Sequence, residues 1–172
     1  MEIWDYYRAD RTLTGNTGVR GEPMPKGCYH LVVHVCIFNS RGEMLIQQRQ
    51  KDKQGWPNLW DVSVGGSACQ GENSSSAAER ETREELGLTL DLSEERPFLT
   101  VHFDRGFDDM YLIQKEVDLQ QLQLQPEEVQ AVRWATLSEI EQLMERKEFL
   151  PYLQGLIPLL FAMHLRRGAI QE

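Results

Sequence analysis

Three glutamates, Glu81, Glu84 and Glu85, stand close together in the segment Gly66-Ser-Ala-Cys-Gln-Gly-Glu72-Asn-Ser-Ser-Ser-Ala-Ala-Glu-Arg80-Glu-Thr-Arg-Glu-Glu-Leu-Gly-Leu88. On a helix with Glu81 as origin, Glu84 falls at about −60° and Glu85 at about +40°, so the three carboxylates share an arc of about 100°. Ala78, Thr82 and Leu86 form an i, i+4, i+8 row of small or apolar positions beside them, so the acids border the buried side. Like charges at these spacings each oppose the helix by roughly 0.2–0.5 kcal/mol, and partial burial raises that penalty. A divalent cation removes it. An all-oxygen set suits Mg²⁺ or Mn²⁺, which keep coordination positions open for water and phosphate oxygens. Gly65 and Gly66 directly precede this segment after a short apolar run, where backbone can approach a ligand with no side chain in the way.

The charge balance points the same way. The chain has 172 residues with 18 Lys plus Arg against 27 Asp plus Glu, a net charge of −9. Such a surface repels bare polyphosphate and anionic membranes, so generic nucleic-acid coating and membrane binding are excluded, and an anionic substrate needs a local reversal of the field. The opening Met1 to Arg8 mixes charge and aromatics and lacks an export signal. The longest apolar stretch, Leu156 to Leu165, is broken by Pro158 and His164 and falls short of the roughly 18 residues a spanning helix needs. Cys28, Cys36 and Cys69 form no C-x-x-C pair; a cytoplasmic, reducing setting fits.

The elements that must position the acids follow from pattern. At 41% hydrophobic and 26% charged, the length and composition fit one globular α/β domain. Residues 1–28 read as an N-terminal extension, a strand or hairpin leading into Gly/Pro turns. Tyr29 to Phe38 is a β-branched and aromatic strand, Asn39 to Gly42 a turn, and Glu43 to Arg49 its hairpin partner. Trp60 to Val64 is a strand ending at Gly65-Gly66. A helix of about three turns follows, with Ser74 to Ser76 offering the N-cap and Gly87 the C-terminal cap. Strand-like runs recur near 98–103, 110–116 and 129–134, and two helical stretches within 137–168 close the chain. A mixed sheet with helices on its faces is the economical arrangement.

The acidic segment, residues 66–88, closely resembles the Nudix box, G-x5-E-x7-R-E-U-x-E-E-x-G-U, with U an aliphatic residue. Gly66, Glu72, Arg80, Glu81, Glu84, Glu85, Gly87 and Leu88 are in register, and Thr82 takes the first U position. Seven strict positions match by chance with a probability on the order of 10⁻⁸ to 10⁻⁹. The run from His30 through Trp60, with Phe38-Asn39, Arg49 and Trp56-Pro57, is similar to the branch nearest isopentenyl diphosphate isomerase.

The resemblance implies a Nudix-type α/β/α sandwich with a mixed central sheet. It implies a pyrophosphohydrolase whose partner is a small-molecule diphosphate, and a chain acting as monomer or homodimer. By position it implies metal ligation by Glu84 and Glu85 with the Gly66 carbonyl, a metal or base role for Glu81, and orientation of these carboxylates by Glu72 and Arg80. Arg49 and Lys53 are implied diphosphate contacts. The later acid that usually completes the metal set is Asp109, Glu127 or Glu128. Isomerase-like activity and a non-catalytic binding module are the alternatives. Where the isomerases carry a catalytic cysteine and a histidine, this chain has Gly65 and Ser67. His30 and His34, two pleat repeats apart on one strand face, are expected to be structural, and Trp56 and Trp60 to be core packing.

Overall fold

The computed structural model describes residues 2–170. Its elements run β1 (Ile3–Tyr7), β2 (Leu13–Val19), β3 (His30–Phe38), β4 (Met44–Arg49), β5 (Trp60–Asp61), β6 (Val64–Ser67), α1 (Ser74–Leu86), β7 (Leu99–Phe103), β8 (Gly106–Gln114), β9 (Val129–Ala135), α2 (Leu137–Glu145) and α3 (Leu156–Met163). Seven strands form one mixed sheet in which β3 pairs in parallel with β8, and β7 lies antiparallel to β8.

Alternation along β3 builds the two cores. Val33, Val35 and Ile37 pack toward α1 with Ala77, Ala78 and Leu86. Cys36 and Phe38 pack on the opposite face with Ile140 and Leu143 of α2 and Ile157 and Leu160 of α3. Each fully buried aliphatic side chain contributes roughly 1.5–3 kcal/mol, so both faces of β3 are committed, and a helix layer on each side is the only way to dry them. The result is the expected α/β/α arrangement.

Two details depart from the sequence pattern. β3 and β4 were expected as a hairpin ladder, yet they pair only at Phe38 and Met44. Beyond that point β6 takes the edge of β3 over Val32 to Val35, and β4 pairs with β9 along its length instead. Ser63 spans the split, its hydroxyl accepting from Ile37 N at 2.8 Å and donating to Leu45 O. The sheet therefore opens into two leaves, and the opening becomes the site. The C-terminal helices are also shorter than 137–168: Gly155 enters α3 with φ 93°, a left-handed conformation that ends the extended approach from residue 150 and starts the helix only at Leu156. Among the described residues no helix is long and apolar enough to cross a membrane.

The N-terminal segment forms the antiparallel hairpin β1–β2, docked by reciprocal bonds between Tyr7 and Tyr29 at 2.8 and 3.0 Å. Its far anchor is Arg11, which donates to both oxygens of buried Asp109 at 2.9 and 2.6 Å. Burial alone would raise the Asp109 pKa, but the hydrogen bonds from Arg11 and Thr100 outweigh it and hold the carboxyl below its ordinary value. Stabilisation by a group with a lowered folded pKa is complete above its unfolded pKa, about 3.9, and is lost as pH falls through the folded value. Replacing Arg11 by Met should therefore cost roughly 2 kcal/mol at pH 7, discounted for the partial exposure of Arg11. In urea unfolding the deficit should shrink as pH falls below the ordinary carboxylate range; equal stability of the two proteins at pH 7 would remove the pair as an anchor.

Candidate active site

Helix α1 starts where its sequence lets orphan amides be satisfied. Asn73, rather than Ser74 to Ser76, is the N-cap; its side chain accepts from Ser76 N, and the Ser76 hydroxyl accepts from Asn73 N in return. Such a box contributes about 1 kcal/mol. Gly87 closes the helix with φ 67°, as its type and place predicted. Thr82, at the first aliphatic position of the box, is buried and donates its hydroxyl to Ala78 O at 2.7 Å. The departure from an aliphatic residue is thereby satisfied within the helix.

Arg80 is the hub. Its guanidinium binds Glu72 through two nitrogens at 2.7 and 3.0 Å, Glu84 at 2.9 Å, Glu81 at 3.0 Å, and the Ser67 carbonyl at 3.0 Å. Glu72 also accepts from Cys69 N at 2.8 Å. Burial works against ionisation of Glu72, but the hydrogen bonds from Arg80 and Cys69 prevail and its pKa is lowered. The glycine loop is thus tied to the helix by one charge network.

Glu81 and Glu85 face the opening of the sheet. Burial pushes Glu81 up to about 7 against the pull of Arg80. Burial, and then the charge of Glu81, push Glu85 up to about 7. Gln47 donates to Glu85 at 2.9 Å, while its own carbonyl oxygen is buried without a partner. Gly66 is required by contact: a Cβ there would lie 2.1 Å from the Glu81 carboxyl. Among the described residues no three His, Cys, Asp or Glu side chains close on a common point, since Arg80 gathers Glu72, Glu81 and Glu84. The donor set nonetheless fits a hard divalent cation: crowded carboxylate oxygens, disfavoured as anions by burial, beside an unpartnered amide oxygen and a bare glycine strand.

Gly66, Arg80, Glu81, Glu84 and Glu85 line a cleft of about 490 Å³ between the leaves. Arg49, Lys53, Asp61 and Glu128 line it from outside α1, Gln125 lines it beside the end of α1, bonding Glu85 O at 3.0 Å, and Glu2 and Arg20 of the N-terminal segment also line it. Lys53 pairs with Glu128; burial and the neighbouring Arg49 lower the Lys53 pKa. Of the later acids, Glu128 alone lines the cleft. Glu127 is exposed, and Asp109 lies outside the cleft, bonded to Arg11 and Thr100 at the hairpin anchor, because alternation along β8 turns it to the face opposite Asp108.

Residues beyond those expected also enter. His34 lines the cleft and its Nδ1 lies 2.7 Å from Asp108. Burial lowers its basicity, but the Asp108 charge and hydrogen bond dominate and its pKa is raised. The acid that accompanies it sits 74 residues away on β8, so local spacing carried no trace of the pair. Asp61, buried below the cleft, accepts from Tyr152 at 2.7 Å, and burial raises its pKa despite His34 and Tyr152. Trp56, expected in the core, is 55% exposed; Trp60 is half-buried under Arg133. His30 stacks on Trp4 at 4.4 Å and bonds Arg105 O, the structural role expected of it.

A NUDIX domain model matches residues 29–154, beyond the reach of the sequence resemblance, which fades near residue 136. A relative named as an uncharacterized Nudix hydrolase of Listeria innocua is 55% identical over 152 residues, covering 88% of this chain and 90% of that one. An isopentenyl-diphosphate Delta-isomerase of Citrobacter koseri is 30% identical over 120 residues, 66% of this chain and 65% of the isomerase. Among solved structures, DR0079 from Deinococcus radiodurans superposes with a TM-score of 0.71 at 24% identity, covering 92% of this chain and 97% of that one. A MutT protein from Methanosarcina mazei gives 0.60 at 19%, over 77% and 92%.

The space at Gly65 is filled by His34. A Cβ on Gly65 would lie 2.7 Å from Cδ2 and 2.8 Å from Nε2 of that imidazole, which Asp108 prevents from swinging aside. Gly65→Ala should therefore destabilise by about 1–3 kcal/mol. The cost should fall in a His34→Ala background, giving a coupling of about 0.5–3 kcal/mol in a double-mutant cycle of unfolding free energies. An alanine at position 65 that is neutral in the wild-type background would contradict the contact.

Proposed function

The chain belongs to the Nudix hydrolase family, and from that premise we propose that it hydrolyses the P–O–P linkage of a nucleoside diphosphate derivative or related organic diphosphate, with Mg²⁺, or Mn²⁺ in its place. The observation that carries this reading is the crowded, buried pair Glu81 and Glu85 against bare Gly66, in one cleft with Arg49 and Lys53. The proposed setting is the cytoplasm, with the chain acting as monomer or homodimer.

Glu84, Glu85 and the Gly66 carbonyl would hold the metal, with Glu81 beside them and Glu128 as the added acid from the facing wall. When bound, a divalent cation neutralises phosphate charge and polarises the phosphoryl group. Arg49 and Lys53 bind the anionic substrate from the opposite wall, a role for which Lys53 must exchange Glu128 for phosphate. Glu81, facing the cleft, accepts the proton of the attacking water as its oxygen bonds to phosphorus and the anhydride P–O bond breaks. Glu72 and Arg80 hold the glycine loop and the α1 carboxylates in register. The products are a phosphate monoester and the remaining phosphate-bearing fragment.

Isomerisation is the poorer reading, because the position of the isomerase cysteine is Gly65 and the His34 ring occupies the space a side chain there would need. A non-catalytic module is disfavoured by the full set of box carboxylates.

Hydrolysis of a diphosphate panel, followed as phosphate freed from the monoester products by a phosphatase, should require a divalent cation and vanish in chelator; full-rate cleavage without metal would sink the reading. Glu85→Gln keeps volume and helix propensity while deleting one anionic donor, so it should fold normally yet lose about two or more decades in rate. Melting scans should show the wild type gaining stability from Mg²⁺ and the variant gaining less. A variant with intact turnover and metal response would leave Glu85 a structural residue. Isopentenyl diphosphate should give no dimethylallyl diphosphate by product chromatography at any enzyme-like rate, since Gly65 carries no group to move a proton.

A further inference from the structure

Beside the cleft lies a second cavity of about 440 Å³, walled by Trp56, Leu59, Met144, Phe149, Leu150 and Tyr152. Its volume lies within the roughly 300–1,000 Å³ of small-ligand sites. The two spaces adjoin, since Trp56 and Leu150 line both. Tyr152 joins them a third way: its ring faces the second cavity while its hydroxyl bonds Asp61 beneath the cleft.

The walls of this cavity have little to offer a polar ligand. The Tyr152 hydroxyl is committed to Asp61. Lys147 is the one charged side chain on the rim. Nearby backbone groups are also engaged: Leu59 O accepts from Arg49 N, Leu150 N donates to Trp60 O, and Leu150 O accepts from Tyr152 N. A base edge or a sugar would lose its hydrogen bonds to water here and regain few, whereas an apolar group loses nothing.

Trp56 carries the strongest sign that the cavity is built for a ligand. It is 55% exposed and its backbone has φ 51°, so a large apolar side chain is held toward solvent on a conformation that L-residues disfavour. The loop is not slack. Arg49 donates twice to Gly55 O at 3.2 and 2.9 Å, and Gln130 donates to Asn58 Oδ1 at 2.7 Å. Strain maintained by such ties around an exposed aromatic marks a ligand wall.

We propose that this cavity receives the organic portion of the substrate, and that this portion is an uncharged, apolar group esterified to the diphosphate held in the cleft. The assignment rests on the diphosphate-hydrolase reading and adds the substrate class to it. Water then adds to one phosphorus, the anhydride bond breaks, and the alkyl monophosphate and inorganic phosphate leave, the C–O bond remaining intact.

The test uses ethyl, butyl, hexyl and octyl diphosphates with ADP-ribose as the polar comparison, all with saturating Mg²⁺. KM should fall about tenfold or more from ethyl to octyl while kcat changes less than twofold, as expected for binding remote from the reacting centre. Octyl diphosphate should exceed ADP-ribose in kcat/KM. Trp56→Ala and Met144→Gln should each flatten the dependence of KM on chain length, the latter keeping volume and helix propensity so that folding is preserved. Flat KM values across the alkyl series, or preference for ADP-ribose, would overturn the apolar assignment while leaving diphosphate hydrolysis standing. Failure to cleave any of the five would overturn both.

Discussion

Burying two like charges on one face of a helix is the constraint around which this molecule is arranged. Glu81 and Glu85 are both driven toward protonation by their surroundings, and nothing in helix propensity favours putting them there. They are kept by compensations from four directions. Arg80 supplies positive charge from the same helix, Gln47 donates from β4, Gly66 withdraws its side chain, and the Asn73 cap fixes where the helix begins and hence which way its acids point. The compensations come from β4, from β6 and from α1 with its cap, so the site exists only when both strands and the helix are in place.

The sheet meets this need by failing to be continuous. A regular β3–β4 ladder would have closed the space in front of α1. Because β6 takes the edge of β3 and β4 turns to β9, the leaves separate and the cleft forms between them. Ser63 bridges the separation with its hydroxyl, which satisfies strand groups that a missing ladder would leave orphaned in a dry core. The two leaves thus stay joined at the base of the opening, and charged residues from both come to face one another across it.

Much of this was legible in the sequence, and the reasons differ by element. The β-branched and aromatic run from Tyr29 to Phe38 announced a strand, and Gly87 announced the end of α1. The spacing of Glu81, Glu84 and Glu85 placed them on one face because helical geometry is local. What escaped was non-local. His34 looked unaccompanied because Asp108 reaches it through a parallel pairing of β3 and β8. Asp109, its neighbour in sequence, points to the other side of the same strand and anchors the hairpin instead. The splitting of β3 from β4 was hidden as well, since each strand alone shows a pattern fit for a simple hairpin.

Gly65 shows how one missing side chain shapes the edge of the cleft. The imidazole of His34 lies where a Cβ at this position would be. The glycine and the histidine are mutually dependent: a larger residue at 65 evicts the ring, and loss of the ring leaves Asp108 without its partner at the edge of the cleft. A side chain at position 65 therefore requires a coordinated change at His34 on the adjacent strand. The chain is 30% identical to an isopentenyl-diphosphate Delta-isomerase over 66% of its length, and the His34–Gly65 contact lies at the β3–β6 pairing, apart from the acidic helix.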